Sequence, residues 1–305
     1  MIFLENFSAK LAINIRVYLY SLPCQIRTVI WHCVHPFILI HSLKVYIFSF
    51  LKKRSVKHIF ITGFPKSGTT WIENLVLNIP GYIPFIPGGD YKELRSHNLS
   101  GNSLNCLPRN VSVGIKSHLR GNRKNITILL NAGIDKIVVL IRDPRDVIVS
   151  NYFYARKNNP WQRGEKAFSE YKNLTKKQGL DHSVKFMKDS YKKWIEEWIN
   201  VKNNKLINVH FVKYEDFLIN PQLEFTKIIE FYQLELETKE IPDILERIQK
   251  KSNKKSLFNL AVPGKNNTKR KGVAGSWRDE LDKEQISLIN KSLLKTIRSL
   301  GYPEK

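Results

Sequence analysis

Cysteine is scarce in this chain, and none of the cysteines has the spacing of a metal or redox site. Three occur among 305 residues, namely Cys24, Cys33 and Cys106, and no Cys-x-x-Cys is present. An odd number without that spacing disfavours a disulfide framework and a structural zinc site. We therefore expect no bound metal and a location in the reducing cytoplasm.

Acidic residues are also few. The chain has 27 Asp and Glu against 50 Lys and Arg, which gives a formal net charge of +23. Such an excess attracts acidic partners, and nucleic acid, anionic lipid and a polyanionic small molecule all fit it. A background rich in Lys and Asn supplies part of the excess, so the charge by itself does not choose between them.

The first 57 residues lack an uninterrupted apolar run of the roughly 20 residues that a spanning helix needs. Pro36, Lys44 and three histidines break the run, and no small-x-small cleavage site for a signal peptide follows. The mixture of aromatic and basic residues suits a membrane interface. Residues 1–57 therefore form a segment that lies on a membrane, packs on the domain as amphipathic helices, or anchors the chain; the domain itself comprises residues 58–305.

The triphosphate-binding sequence Gly-x-x-x-x-Gly-Lys-Ser/Thr is absent as well. An apolar run from His58 instead ends in Gly63-Phe-Pro-Lys66-Ser-Gly68-Thr-Thr-Trp71, and helix-forming residues follow. A strand, turn and helix in this order aim backbone N–H groups and the positive end of a helix dipole at one spot. The side chains of this loop add a cation and hydroxyl donors: Lys66, Ser67, Thr69 and Thr70. The sequence therefore predicts a phosphate or sulfate site here.

A second basic stretch, Arg142-Asp-Pro-Arg-Asp-Val-Ile-Val-Ser150, follows the predicted strand Lys136 to Ile141. Asp143 suits a helix N-cap and Pro144 a first helical position. Arg142 can donate two parallel hydrogen bonds to a phosphate, and Ser150 can add a hydroxyl. Taken alone, the stretch also fits a capped helix with surface ion pairs.

Three further segments complete the pattern. Arg270-Lys271-Gly272-Val-Ala-Gly-Ser-Trp277 joins two cations to a glycine, which lets the backbone approach a ligand closely. Lys213-Tyr214-Glu-Asp follows another predicted strand, and Lys116-Ser-His118 places a lysine and a histidine at the end of a third.

Together these five motifs, in this order, resemble the sulfotransferases of the cytosolic, histidine-base type, which use 3′-phosphoadenosine 5′-phosphosulfate (PAPS). The resemblance implies that Lys66, Ser67, Gly68, Thr69 and Thr70 bind the 5′-phosphosulfate. It assigns the 3′-phosphate to Arg142, Ser150, Arg270, Lys271 and Gly272. Tyr214 would lie near the adenine, with Trp71 stacked on the other side of the base.

The same resemblance implies three catalytic residues. His118 would be the general base for the acceptor, Lys66 would neutralise the bridging oxygen, and Lys116 would stabilise the sulfuryl oxygens. The chain departs from the family where Arg120 stands in place of a proline, which gives the acceptor pocket its own shape. Loops 80–110 and 155–182 are expected to form that pocket, with these aromatic residues in or beside them: Tyr82, Phe85, Tyr91, Phe153, Tyr154, Trp161 and Phe168.

Alternating apolar strands and helices predict a single P-loop-like α/β domain whose mainly parallel sheet is covered by helices on both faces. We expect a sulfotransferase that yields 3′-phosphoadenosine 5′-phosphate (PAP) and sulfates a hydroxyl or amine of a small-molecule, lipid or glycan acceptor. No nucleic acid partner is expected. Two alternatives stay open at this point: a P-loop kinase or NTPase, and a non-catalytic protein that binds polyanions or membranes.

Overall fold

The computed structural model describes residues 55–88, 97–157, 171, 173–237, 239–252 and 272–304. Within these ranges five strands form one sheet in the order β2-β3-β1-β4-β5, and all neighbouring strands are parallel. The strands are β1 (Ile59–Gly63), β2 (Tyr82–Phe85), β3 (Ser112–Ser117), β4 (Lys136–Ile141) and β5 (Asn208–Lys213). The mainly parallel α/β domain that the sequence predicts is thus confirmed.

The helices alternate with the strands along the chain. They are α1 (Thr69–Val76), α2 (Arg123–Asn131), α3 (Pro144–Lys157), α4 (Lys176–Asn203), α5 (Tyr214–Ile219), α6 (Pro221–Tyr232), α7 (Glu240–Ser252) and α8 (Lys283–Ser299), with a short 3-10 helix at Ser276–Asp279. None of the helices in the described ranges is long and apolar enough to cross a membrane. The predictions for the N-terminal segment fall, up to residue 54, outside the described residues.

Strand β4 illustrates why the sheet is buried on both faces. Ile137, Val139 and Ile141 point into a core shared with α2, α3, α4 and α8. Val138 and Leu140 point into a second core shared with α1, α6 and α7. Successive side chains of a strand face opposite sides, so an apolar residue at every position requires helices on both.

The parallel arrangement brings the motifs that follow strands to the same end of the sheet. The loops after β1, β3, β4 and β5 all leave from the carboxyl ends of their strands, and β1 lies between β3 and β4. In open α/β sheets, ligands bind outside the carboxyl ends, where the strand order reverses. The four motifs that follow these strands therefore lie at the position where such a sheet binds ligands.

Several element boundaries differ from the sequence prediction. Helix α4 begins at Lys176 instead of Ser183, because Thr175 and Gln178 form a capping box ahead of its polar first turn. The region 80–108, predicted as loop, contains β2, a four-residue edge strand in which Pro84 is tolerated. Helices α2 and α7 were not predicted.

Candidate active site

The loop between β1 and α1 has the tight geometry of an anion-binding turn. Gly68 has a φ of 93°, and a Cβ at this position would lie 2.6 Å from a ring carbon of Tyr214, so glycine is required. Ser67 is fully buried, and its Oγ has no hydrogen-bond partner among the described residues. Thr69 is buried at the start of α1. The loop therefore holds a buried donor that nothing in the described protein satisfies.

Lys66 is held at both ends. Its backbone takes a left-handed φ of 76°, and its carbonyl accepts a hydrogen bond of 3.1 Å from Nη1 of Arg142. Its ammonium nitrogen lies over the ring of Tyr154, 3.9 Å from the centroid. The sequence predicted Lys66 as a site residue, but the contact with Tyr154 was not foreseen.

Arg142 joins three of the motifs at the carboxyl end of β4. Besides its bond to Lys66, it donates through Nη2 to the carbonyl of Val273 at 3.2 Å. Its guanidinium carbon lies 4.4 Å from the ring centroid of Tyr214. The Nε atom is buried and has no partner within the described part of the chain. Arg142 thus connects the segments that carry three other motifs.

The start of α3 is capped as the sequence predicts. Oδ1 of Asp143 accepts a hydrogen bond of 2.9 Å from the backbone N–H of Arg145, which satisfies a donor of the first turn. Arg145 is fully buried, pairs with Asp143 at 2.7 Å and lies 3.9 Å from the ring centroid of Trp277. Its ion pair therefore belongs to the core and not to the surface.

Asp146 docks the third motif against α3. Its carboxylate accepts hydrogen bonds from the Gly275 N–H at 2.6 Å, the Ser276 hydroxyl at 2.9 Å and the Trp277 N–H at 3.0 Å. Gly272, at a φ of 68°, lies just before this segment. Arg270 and Lys271 lie outside the described residues. Sequence reasoning did not identify Asp146, because its partners are about 130 residues away.

Ser150 is half-buried on α3, the helix that begins directly after the Arg142 loop. Its predicted contact with the 3′-phosphate stays a prediction.

Glu215 stabilises the loop that follows the carboxyl end of β4. It accepts hydrogen bonds from the Asp143 N–H at 3.1 Å and from the hydroxyl of Tyr302 at 2.8 Å. Burial raises the pKa of Glu215, although these hydrogen bonds favour its ionised form. The C-terminal end of the domain therefore supports the Arg142 loop.

His118 follows β3 and is oriented by the carbonyl of Gly63. Its Nδ1 lies 2.6 Å from that oxygen. A carbonyl can only accept, so Nδ1 carries the proton and the neutral ring has its basic lone pair on Nε2. This tautomer is the one that a general base acting through Nε2 requires.

The residue after His118 is anchored by α4. The carbonyl of Leu119 accepts hydrogen bonds from Thr62 Oγ1 at 3.2 Å, Trp194 Nε1 at 2.8 Å and Trp198 Nε1 at 3.0 Å. The two tryptophans, one turn apart on α4, are therefore part of the support for the candidate base.

Lys116 is paired with a carboxylate. Its Nζ lies 2.5 Å from Oε2 of Glu73 and 3.3 Å from Oγ1 of Thr70, and both members of the ion pair are largely buried. Sequence reasoning missed Glu73, although its position on the first turns of α1 places it beside the loop.

The aromatic residues expected around an adenine contact each other. Trp71 meets Tyr214 at 6.1 Å between centroids and 73° between planes, and meets Phe217 at 4.9 Å and 71°. Burial raises the pKa of Tyr214. The two rings contact each other edge to face in this structure, and their predicted placement on either side of the adenine stays a prediction.

The residues expected to line the acceptor pocket lie at opposite ends of the strands. Phe153 and Tyr154 lie on α3, whereas Tyr82 is buried at the amino end of β2, so its place in the pocket is corrected. A cavity of about 60 Å³ that Tyr82 lines lies at that amino-end edge, away from the motifs. Tyr91, Trp161 and Phe168 lie outside the described residues.

Metal ligands were searched for among the described residues. No group of three or more His, Cys, Asp and Glu side chains in those ranges is arranged to hold a metal ion.

Comparison with known proteins identifies the family. Residues 56–301 match the sulfotransferase domain model. The chain is 24 % identical to the luciferin sulfotransferase of Photinus pyralis over 279 residues, which cover 80 % of this chain and 72 % of that protein. It is 26 % identical to the 3-alpha-hydroxysteroid sulfotransferase of Cavia porcellus over 258 residues, 79 % of this chain and 83 % of that one.

A solved structure has the same fold. The crystal structure of mouse sulfotransferase SULT7A1 complexed with PAP superposes with a TM-score of 0.59 at 22 % identity, covering 79 % of this chain and 85 % of that chain. The domain model matches most of the chain, and the motifs lie together at the carboxyl ends of the strands. This chain therefore belongs to the PAPS-dependent sulfotransferases.

Proposed function

We propose that the protein transfers the sulfuryl group of PAPS to a hydroxyl, or an amine, of an acceptor, by in-line attack with His118 as general base. The observation that carries the proposal is a pair of buried donors, Ser67 Oγ and Arg142 Nε, that lack partners among the described residues. Buried polar groups are almost always hydrogen-bonded, so two such donors indicate a bound anion.

The two donors lie in the two segments proposed to bind the two ends of PAPS. Ser67 belongs to the loop before α1, where Lys66, Gly68, Thr69 and Thr70 would bind the 5′-phosphosulfate at a helix N-terminus. Arg142 belongs to the loop before α3 and would bind the 3′-phosphate together with Ser150, Arg270, Lys271 and Gly272. The bond between Arg142 and the Lys66 carbonyl supports a single ligand that spans both loops.

The proposed chemistry divides between three side chains. His118, with its lone pair on Nε2, takes the proton of the attacking hydroxyl as the bond between oxygen and sulfur forms. Lys66 neutralises the oxygen that leaves with PAP, and Lys116 stabilises the sulfuryl oxygens. Preorganised cations in a site shielded from water can each contribute a few kcal/mol. The mechanism does not require a metal.

The acceptor is proposed by chemical class. The relatives named for luciferin and for a 3-alpha-hydroxysteroid favour a small molecule or lipid that bears a hydroxyl. Phe153 and Tyr154 on α3 supply aromatic surface for such an acceptor. Residues 1–57 are proposed as a separate segment with peripheral membrane contact, next to the catalytic domain of residues 58–305.

Radiolabelled PAPS, incubated with the wild-type protein and a set of phenols and sterols, tests the proposal. We expect labelled product from wild type and a loss of at least about 100-fold in kcat for His118→Ala, the range typical of general bases. Binding of PAP by calorimetry should be retained in this variant. Unchanged turnover in His118→Ala would contradict the assignment of the base.

A further inference from the structure

Lys66 and Lys116, the two lysines of the proposed transfer step, are held in different ways. The ammonium of Lys116 is 2.5 Å from the carboxylate of Glu73, so its positive charge is paired with a negative one. The ammonium of Lys66 instead lies on the face of Tyr154, 3.9 Å from the ring centroid. An aromatic face attracts a cation through its quadrupole but carries no net charge. The ring of Tyr154 thus contacts the Lys66 ammonium without adding a negative charge of its own.

The position of the ring is set by α3. This helix begins beside Arg142, and its buried residues, among them Val147 and Tyr152, pack in the main core. Ala155, next to Tyr154, is fully buried, so the helix cannot shift freely at this point. The ring of Tyr154 therefore occupies a fixed place between the loop before α1 and the end of α3.

Holding Lys66 has an energetic consequence. A lysine side chain loses rotamer entropy when it is ordered. Its backbone is already fixed by the hydrogen bond from Arg142 and by the left-handed φ. A ring that orders the ammonium before the ligand arrives removes part of this cost from the reaction itself.

We propose that Tyr154 is a positioning residue that holds the Lys66 ammonium at the boundary between the donor loop and the acceptor side of the site. The phenol oxygen is not needed for this role, because the contact is with the ring face. The proposal rests on the proposed function of Lys66 in neutralising the leaving oxygen.

Three substitutions test it by steady-state kinetics with PAPS and a phenol acceptor. Tyr154→Leu should lower kcat by about 2- to 30-fold, the range of a cation–π contact of 0.5–2 kcal/mol, and leave the KM for PAPS within about 2-fold. Tyr154→Phe keeps the ring face over Lys66 and should recover most of the kcat that Tyr154→Leu loses. Phe186→Leu, an exposed aromatic on α4, is the control for loss of a ring elsewhere.

A double-mutant cycle separates positioning from packing. In a Lys66→Met background, Tyr154→Leu should cause no further loss of kcat, because the side chain that the ring positions is already gone. A loss of the same size in both backgrounds, or a Tyr154→Leu enzyme with wild-type kcat, would overturn the proposal.

A readout without catalysis distinguishes this inference from the proposed function. Ligand-free protein is treated with an amine-acylating reagent, and the modification of each lysine is followed by mass spectrometry. Lys66 should react faster in Tyr154→Leu than in wild type or Tyr154→Phe, whereas Lys116 should not change. Equal rates at Lys66 would refute the positioning role even if the enzyme is active, and a wild type without PAPS turnover would refute the proposed function alone.

Discussion

Two fully buried serines show how a single residue can serve a ligand instead of the fold. The Oγ of Ser183 lies 3.0 Å from the hydroxyl of Tyr171, whereas the Oγ of Ser67 has no partner in the described residues. An unpartnered buried hydroxyl costs about 1–3 kcal/mol of desolvation in the folded protein. A hydrogen bond to the proposed 5′-phosphosulfate would recover that cost for Ser67.

Substitution of these serines should therefore have opposite effects. Ser67→Ala should leave the free energy of unfolding unchanged or raise it, and should weaken PAP binding by about 10- to 150-fold, the equivalent of a charged hydrogen bond of 1.5–3 kcal/mol. Ser183→Ala should lower the free energy of unfolding by about 1 kcal/mol and leave PAP affinity unchanged. Urea denaturation and calorimetry measure both quantities, and a destabilised Ser67→Ala protein with normal PAP affinity would refute this interpretation.

Sequence reasoning at the residue scale was accurate where the partner is close along the chain. Asp143 was predicted as a cap, and its bond reaches a residue two positions away. The partners of Glu73 and Asp146 are 43 and about 130 residues distant, and only the fold brings them together. The contact between Lys66 and Tyr154 was missed for the same reason.

At the scale of elements, the segment from Gly272 to the 3-10 helix has little regular structure and depends on α3 for its position. Asp146, 1 % exposed, accepts its three hydrogen bonds. The carbonyl of Val273 then meets Arg142 at 3.2 Å. This segment is the C-terminal part of the motif that begins at Arg270, so its docking should affect the ligand site.

Two variants measure the strength of this docking. Ser276→Ala removes one of the three donors and should cost about 1 kcal/mol of unfolding free energy. Asp146→Ala leaves donors buried without an acceptor and should cost about 3 kcal/mol or more, with weaker PAP binding in the fraction that folds. Urea denaturation measures the costs; equal losses for the two variants would contradict the shared role of the Asp146 carboxylate.

The elements that the sequence predicted best carry strong local signals. Strand β4 has the predicted bounds, since it is a continuous apolar run. Helix α6 has an equally clear local signal, because it is capped by Asn220 and begins with Pro221. Helix α7 was missed although its signal was present. Its apolar residues recur at helical spacing and pack in the second core: Ile241, Ile244, Leu245 and Ile248.

At the scale of the whole molecule, a half-buried histidine should couple folding to pH. His210 stacks on Phe231 at 5.3 Å, and its Nε2 is buried without a hydrogen-bond partner in the described ranges. Burial lowers the pKa of His210 below its ordinary value of 6.5. Near pH 6.5, His210 therefore binds a proton more readily in the unfolded chain than in the folded protein. The free energy of unfolding should decrease as the pH is lowered through 6.5.

The variant His210→Phe tests this coupling. It keeps an aromatic ring on Phe231 but removes the titrating group, so the free energy of unfolding should depend less steeply on pH between about 5 and 7 than in wild type. Urea denaturation at a series of pH values provides the comparison. An identical slope in both proteins would show that His210 does not contribute.

The whole-molecule arrangement was predictable in outline, because motifs that follow parallel strands must meet at one edge of the sheet. Its details were not. Nothing in the local pattern indicates that Trp71 and Tyr214 contact each other edge to face, or that Tyr82 lies at the opposite edge. The central claim is a nucleotide site that binds two anionic groups of one ligand, one at Ser67 and the other at Arg142.

Calorimetric titration with PAP and with AMP, which differ by the 3′-phosphate, tests that claim most directly. Wild type should bind PAP at least about 100-fold more tightly than AMP, and Arg142→Ala should reduce this preference by about 10-fold or more, since charged hydrogen bonds contribute about 1.5–3 kcal/mol. The exposed Arg123→Ala is the control and should keep the wild-type preference. Equal affinity of the wild type for PAP and AMP, or an unchanged preference in Arg142→Ala, would contradict the two-ended site.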